Sequence, residues 1–403
     1  MRTMDQGSDS LTGYVYQDAL DLPATDDLFS EPDAWADVLV EPPRAVRSFV
    51  RPMPEFLSDP DNVGLFSGLS PDVFFSPPAF VARAQKARIV GFRTVLSNDG
   101  RFFNDDSIAG EEKQREFLRT LSMPDPLNEE TGLGRAKGEV AFKLDLKGRQ
   151  IQRIPGTTIH LSSAEPSNYG SWLFRVLPKV EMIKRFSLDR NASFLVWAGL
   201  PSFREYLQIL EVPENRIIEH DPKNVVYQLD RAIVPSIRNN QAFIDGESLS
   251  LFERMRNKFG ERREAGKRVY VSRLSRSNLG SPRTMQNEAE LIERLKGMAF
   301  QIVNPETLSV PEQIRVFSFA SMVVGPSGSG MFNVVFCHPE TKIIDIESEP
   351  HWIHAHICLF ASCGHRFGIF VGKATDNDFR THHKPWNVNI DVLVERIKAF
   401  SLT

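Results

Sequence analysis

The stretch ASMVVGPSGSGMFNVVF, residues 320–336, limits the fold more than any other part of the chain. An apolar run ends at Val324, glycines follow at 325, 328 and 330, and a second apolar run starts at Met331. Glycine lets the backbone turn tightly with no Cβ to obstruct a ligand. A helix beginning there would present unpaired N–H groups and the positive end of its dipole. The run TKIIDIE, residues 341–347, then reads as the next parallel strand. Strand, glycine turn, helix and strand form the unit with which parallel α/β sheets hold phosphates. The spacing is not the dinucleotide fingerprint, and such turns also serve merely to pack a helix on a sheet.

The surrounding segments extend the same pattern. KRVYVSR reads as a strand ending at Arg273, TMQNEAELIERLKGMAF as a helix and QIVNP as a strand. SVPEQIRVFSFA reads as a helix opened by Ser309 and Glu312, a capping box. A helix over HWIHAHICLFASCG and a strand RFGIFVG close the series. Strands alternating with helices at this spacing predict an open parallel sheet covered on both faces. Earlier, ARIVGFRTVLSNDGRFFND alternates around Asn98-Asp99-Gly100, a strong hairpin signal. GEEKQREFLRTL is helical, TTIHLSS a short strand, and NYGSWLFRVLPKVEMIKRF a helix with one apolar face that Pro178 should kink or interrupt. SFLVWAG, NRIIEHD and RAIVP read as further strands. Residues 1–85 are acidic and proline-rich, an extended arm rather than a helical domain. The expected division is 1–85 for this arm, 86–245 for a first α/β domain and 246–403 for a second. No internal repeat of solenoid length is present.

Composition narrows the class. The 403 residues suffice for two cores, and 41% hydrophobic with 25% charged residues is ordinary for a globular protein. A net charge of -4 argues against a nucleic-acid binder. No apolar run approaches the roughly 18 residues of a membrane span, and the amino terminus lacks a secretory core. Three cysteines, Cys337, Cys358 and Cys363, make no disulfide framework. The expectation is a cytoplasmic protein, with room for peripheral association at the inner face of the membrane or within a complex; the oligomeric state is open.

Four constellations could carry chemistry. Lys267, Arg268, Arg273, Arg276 and Arg283 occur with no carboxylate before Glu288. Arg273 sits at a strand end, where open α/β sheets bind ligands, and with Ser327, Gly328, Ser329 and Gly330 it could meet a diphosphate from two sides. A solvated basic loop is the plainer reading, favoured for Arg276. Asn168, Tyr169 and Trp172 open a helix after a strand end; Asn168 could line a site or simply cap, and the rings could be core. Histidines and cysteines gather between Cys337 and His365, and His354 with Cys358, four apart on a helix, could suit a structural zinc in an unrelated α/β enzyme. Yet no CxxC or HExxH spacing appears, free cysteines are often just buried apolar residues, and no metal is expected. Asp345, Glu347 and Glu349 lie around the end of a strand, where a carboxylate binds a ribose hydroxyl or caps the next helix, with Glu347 the favoured candidate.

Taken together, these segments resemble glycosyltransferase family 61, from about Ala87 to Phe370. The ordered motifs are the hairpin, NYGSWLFRVLPK, VYVSR, Arg283 with NEAELIERL, and FQIVNPETLSVPEQIRVFSFASMVVGPSGSGMFNVVF. The resemblance implies a GT-B architecture, two Rossmann-like domains facing across a cleft. It implies a nucleotide-sugar donor, UDP-linked, held mainly by the C-terminal domain, a glycan acceptor on the other side, inversion at the anomeric carbon and no metal cofactor. The expected activity is transfer of a sugar to a glycan hydroxyl in surface polysaccharide synthesis.

Departures from the family pattern matter here. Ser171 and Ser327 stand where the family usually carries His, and Arg175 where it often carries Asp. A serine hydroxyl is no base at neutral pH without help, whereas transfer to a hydroxyl needs a proton acceptor. Glu165, in the same loop as Ser171, is the candidate base. Ser327 could still donate to a phosphate oxygen, with Asn333 adding a side-chain hydrogen bond. The same changes fit a catalytically silent relative that binds nucleotide sugar or glycan within a synthesis complex.

Overall fold

The computed structural model describes residues 79–96, 102–106, 149–238, 244–260, 266–275, 283–348, 353–375 and 384–403. It also describes residues 132, 133 and 144 and the short segments 14–15, 36–40, 49–50, 55–57, 73–74 and 141–142. The turn at Asn98–Gly100, the helix expected at 110–121, most of the proline-rich arm, Arg276, Glu349 and His351 lie outside the described residues. The chain divides into two compact units, one containing Pro77–Ser167 and Arg175–Arg238, the other Asn168–Phe174 and Asn239–Thr403.

The first unit is built on β1 (Phe80–Val90), β2 (Thr94–Leu96), β3 (Phe102–Phe103), β4 (Gln150–Leu161), β5 (Ser193–Val196), β6 (Ile217–Glu219) and β7 (Val225–Pro235). Its sheet runs β6-β5-β4-β7-β1-β2-β3, with Ala36–Val40 also paired to β1. β6, β5, β4 and β7 are mutually parallel, whereas β1, β2 and β3 continue the sheet antiparallel. Half of this sheet is therefore not Rossmann-like in pairing. β2 and β3 flank the expected hairpin turn and pair Val95 with Phe103. β1 starts within the segment read as an arm, because Pro77 and Pro78 limit only a strand's beginning and the following Phe80, Val81, Ala82 and Ala84 are buried. β4 begins well before the run TTIHLSS: its exposed first residues pair with β7 from Gln150↔Val225 onward, and its end, Thr158–Leu161, enters the core beside β5.

A charged network lies inside this unit. Asp105 and Lys179 are fully buried; Asp105 accepts from Arg93 Nε at 2.7 Å, from Lys179 Nζ and from Ser162 Oγ at 3.0 Å. Lys179 belongs to α1 (Leu177–Arg185) and also donates to the Ser162 carbonyl at 2.8 Å. Burial disfavours the charged Asp105 carboxylate, but the two cations outweigh it and hold the carboxyl well below its usual range. Ahead of α1 the helix is widened to π form over Trp172–Val176. Pro178 has no N–H to give Phe174, so the regular ladder is interrupted where the sequence placed its kink.

The second unit contains α2 (Gly246–Phe259), β8 (Lys267–Val271), α3 (Glu288–Lys296), β9 (Phe300–Val303), α4 (Val310–Ser318), β10 (Ala320–Pro326), β11 (Lys342–Glu347), α5 (Ile353–Ser362), β12 (Arg366–Val371) and α6 (Ile390–Leu402). Five strands lie in the order β9-β8-β10-β11-β12, with Phe56–Leu57 added at the β12 edge, and every pairing is parallel. In chain order this is 2-1-3-4-5, a doubly wound sheet. Tyr270, Leu291, Leu295, Met322, Val324, Ile344, Ile346, Leu393 and Ile397 share one core on it. α4 begins with the expected capping box, the Ser309 N–H donating to Glu312 at 2.8 Å.

One element differs in kind. The segment after the glycine turn, Ser329–Phe336, is a 3-10 helix rather than an α-helix. Met331 N–H bonds the Gly328 carbonyl, and the Asn333 side chain donates to the Gly330 carbonyl at 3.1 Å.

Candidate functional site

In a doubly wound sheet the crevice for a ligand opens at the carboxyl ends of the strands, where the connections turn to opposite sides. Here that switch point falls between β8 and β10, whose ends carry Ser272-Arg273 and Ser327-Gly328. Gly325 permits the close approach: a Cβ there would stand 2.8 Å from Met331 Sδ and 2.9 Å from the Val271 carbonyl oxygen. Gly328 has φ 155° and ψ 177°, a backbone conformation that is essentially glycine's alone. A Cβ on it would lie 2.2 Å from Arg273 Nη1, which donates to the Ser327 carbonyl at 2.7 Å. The turn and the arginine are thus fitted to each other.

Arg273 is positioned from behind by Glu288, the first residue of α3. The Glu288 carboxylate is buried and accepts from the Arg273 N–H at 2.7 Å and from Ser272 Oγ at 2.9 Å, with the Tyr270 hydroxyl at 3.4 Å. Burial raises its pKa, partly offset by those donors. A carboxylate at a helix amino terminus also meets the favourable end of the dipole. Sequence reasoning gave Glu288 no role; its place one residue after Asn287 at a helix start was the available signal.

Behind the turn lies a second group of buried side chains. Asp345 and Glu347 share one face of β11, two residues apart, and both are fully buried. His356, on α5, places Nδ1 2.9 Å from Asp345 Oδ2. Arg283 Nη2 donates to Glu347 Oε2 at 3.0 Å. Ser327 is 1% exposed, with Oγ 3.3 Å from His356 Nε2. Burial and the neighbouring Asp345 push the Glu347 carboxyl up to about 7. Burial also presses His356 toward neutrality, but Asp345 and then Glu347 outweigh it and the net shift is upward. Asp345 and His356 were not singled out from the sequence as a pair, because eleven positions and a strand-to-helix connection separate them.

The other sequence-selected residues are placed as follows. Asn168 caps the helix start, its Oδ1 accepting from the Gly170 and Ser171 N–H groups. Tyr169 Oη lies 2.7 Å from Asn333 Oδ1 and 3.0 Å from Gln313 Oε1. Trp172, Ser171 and Asn333 are buried. Glu165 belongs to the first unit, where its side chain is 61% exposed and 3.8 Å from Arg175 Nη1. Arg273, Ser327, Gly328, Ser329, Gly330 and Asn333 therefore come together at the switch point, and Arg283 joins Glu347 in the buried group beside it. The three cysteines are free, and burial pushes the Cys358 and Cys363 thiols up to about 12.

Fold and site define an α/β protein whose doubly wound unit carries a glycine turn and an arginine at its switch point. Residues 169–344 match the family model Glycosyltransferase 61, which places this segment in glycosyltransferase family 61 and with it, in general terms, among glycosyltransferases. The match begins at Tyr169 and ends within β11, so it contains the whole switch point. No curated protein matches the chain. Among the described residues no helix is long and apolar enough to cross a membrane.

Proposed function

We propose that the switch point of the second unit holds the diphosphate of a nucleotide-sugar donor, and that the protein transfers the sugar, with inversion, to a hydroxyl of a glycan acceptor. The observation that carries this reading is the Arg273–Ser327–Gly328 fit. It places a guanidinium beside a turn that only glycine can form, at the position where such sheets bind ligands. A guanidinium contact is stronger than a neutral hydrogen bond, and at the leaving diphosphate it stabilises charge that grows in the transition state. No metal ion is assigned to the diphosphate in this scheme. We assign the acceptor side to the first unit, within a GT-B arrangement, and Glu165 as the base; it is the exposed carboxylate of the loop after β4. Surface polysaccharide synthesis at the inner face of the membrane is the setting we propose.

A catalytically silent binder is the second reading, favoured by Ser171, which is buried and has no basic side chain. Thermal shift of the full chain against UDP, GDP, CDP, ADP, dTDP and CMP, followed by an assay of sugar release from the matching nucleotide sugar, separates the two. A ligand that binds only the folded state raises the melting temperature. Arg273→Ala should weaken nucleotide binding by roughly tenfold to a hundredfold, the worth of one charged hydrogen bond, whereas Arg276→Ala should change it little. Equal losses from both would remove the phosphate site from Arg273. Binding without turnover would select the silent relative.

A further inference from the structure

The buried group behind the glycine turn holds more acceptor capacity than its neighbours use. Among the described residues, Asp345, Glu347 and His356 are the one trio of potential metal ligands whose donor atoms all lie within 4.8 Å of one another. All three side chains are more than nine-tenths buried. Arg283 satisfies Glu347 Oε2, and His356 faces Asp345 Oδ2, yet Glu347 Oε1 and Asp345 Oδ1 have no hydrogen-bond partner. A buried, unpartnered carboxylate oxygen is costly, and such atoms in a native protein ask for an explanation.

We infer that Asp345, Glu347 and His356 form a binding site for one divalent first-row transition cation such as Mn2+ or Zn2+. A proton on His356 can answer Asp345 Oδ2 but leaves both other oxygens unmet; a cation among the three side chains answers them together. The donor set, two carboxylates and an imidazole, suits these ions. Mg2+ fits less well, since it keeps several waters and this group lies away from solvent. Ser327 Oγ, 3.3 Å from His356 Nε2, is a fourth potential donor beside them. Arg283, bonded to Glu347, acts as an outer partner that orients a ligand.

The ion would fasten β11, α5 and the start of the glycine turn to one another. With its donors buried it is a structural clamp beneath the turn, separate from the diphosphate proposed above, and the inference does not depend on that reading. No step of sugar transfer is routed through it.

The test uses the full chain, stripped with EDTA and exchanged into chelator-free buffer. Calorimetric titration with Mn2+ alone and with Zn2+ alone should show one ion per chain for at least one of them, with a higher melting temperature on loading. Asp345→Asn, Glu347→Gln and His356→Gln should each lower the affinity at least tenfold. Because a variant in a buried cluster can misfold, the unaltered chain is also loaded with Co2+ and its absorption recorded. Ligand-field bands without a thiolate charge-transfer band are expected from oxygen and imidazole donors. No binding of any of these ions, a thiolate band, or unchanged affinity in all three folded variants would overturn the site. None of these readouts involves a nucleotide, so their failure leaves the switch-point assignment standing, and the nucleotide screen can fail without touching this one.

Discussion

Asp105→Asn, an isosteric change in the first unit, should be among the most damaging single substitutions in the chain. In the native protein one buried carboxylate serves two cations, Arg93 and Lys179, and the Ser162 hydroxyl. An amide keeps the shape and removes the charge, so Lys179, itself fully buried, loses its counter-ion. Breaking a buried ion pair from one side costs about 3–5 kcal/mol, mostly the penalty of the charge left behind. For a unit of this size 1 kcal/mol moves the melting temperature by about 2–4 °C, so the expected loss is roughly 6–20 °C. Lys179→Met tests the same balance from the other side, leaving Asp105 with Arg93. The double variant Asp105→Asn with Lys179→Met should be less destabilised than the two single losses added together, since it removes the buried Lys179 ammonium that Asp105→Asn alone leaves behind. Urea unfolding followed by circular dichroism at pH 7 gives all four stabilities. A loss below about 1 kcal/mol for Asp105→Asn, or strict additivity in the double variant, would show that the network does not hold this unit as argued.

Three further outcomes follow from single contacts. Gly328→Ala should keep the fold at a cost of about 1–3 kcal/mol for its backbone conformation, while its Cβ, 2.2 Å from Arg273 Nη1, displaces that guanidinium; nucleoside-diphosphate affinity should fall as in Arg273→Ala, and an undiminished thermal shift would refute the fit. Gly170→Ala would put a Cβ 2.1 Å from two carbons of the Phe332 ring, which packs between Phe174 and His356; overpacking of this kind costs about 1–3 kcal/mol, read as a lower urea midpoint. Burial depresses His220 to about 4, so the unfolded chain takes up its proton first, near the ordinary value of 6.5, and stability present above that pH is lost as pH falls through 4. At pH 5 this one residue removes about 2 kcal/mol, and His220→Phe should flatten that part of the stability–pH curve of the first unit.

What the sequence disclosed depended on how local the cause was. The second sheet was legible because each strand and helix of 267–371 carries its own periodicity and stop signals, down to the Ser309–Glu312 cap. The 3-10 form of Ser329–Phe336 was not, since apolar periodicity does not register whether a short apolar helix closes its bonds over three residues or four. The antiparallel half of the first sheet was hidden for another reason. β1 pairs with β7, about 145 residues later in the chain, and nothing local in FVARAQKARIV states its partner. The site divides in the same way. Arg273 and the glycines were visible as strand-end residues, whereas Glu288, Asp345 with His356, and Asp105 with Lys179 acquire meaning only when distant segments meet.

Ser327 shows why the exposed and buried halves of the site should be considered together. Its carbonyl accepts from Arg273, its N–H donates to the Ile346 carbonyl at 2.8 Å, and its hydroxyl faces His356 and Glu347. One residue therefore joins the switch-point arginine, the neighbouring strand β11 and the buried carboxylates. A change in the charge or occupancy of the Asp345–Glu347–His356 group pulls on the hydroxyl, while ligand at Arg273 pulls on the carbonyl, and the glycine at 328 gives the chain no side chain with which to resist either. Reciprocity then requires that an ion bound behind the turn and a nucleotide bound before it alter each other's affinity by one common factor. Titrating nucleoside diphosphate with and without Mn2+ or Zn2+, and the ion with and without the nucleotide, should return equal ratios. Ratios of one in both directions would mean that Ser327 is a rigid partition and that the two halves act independently.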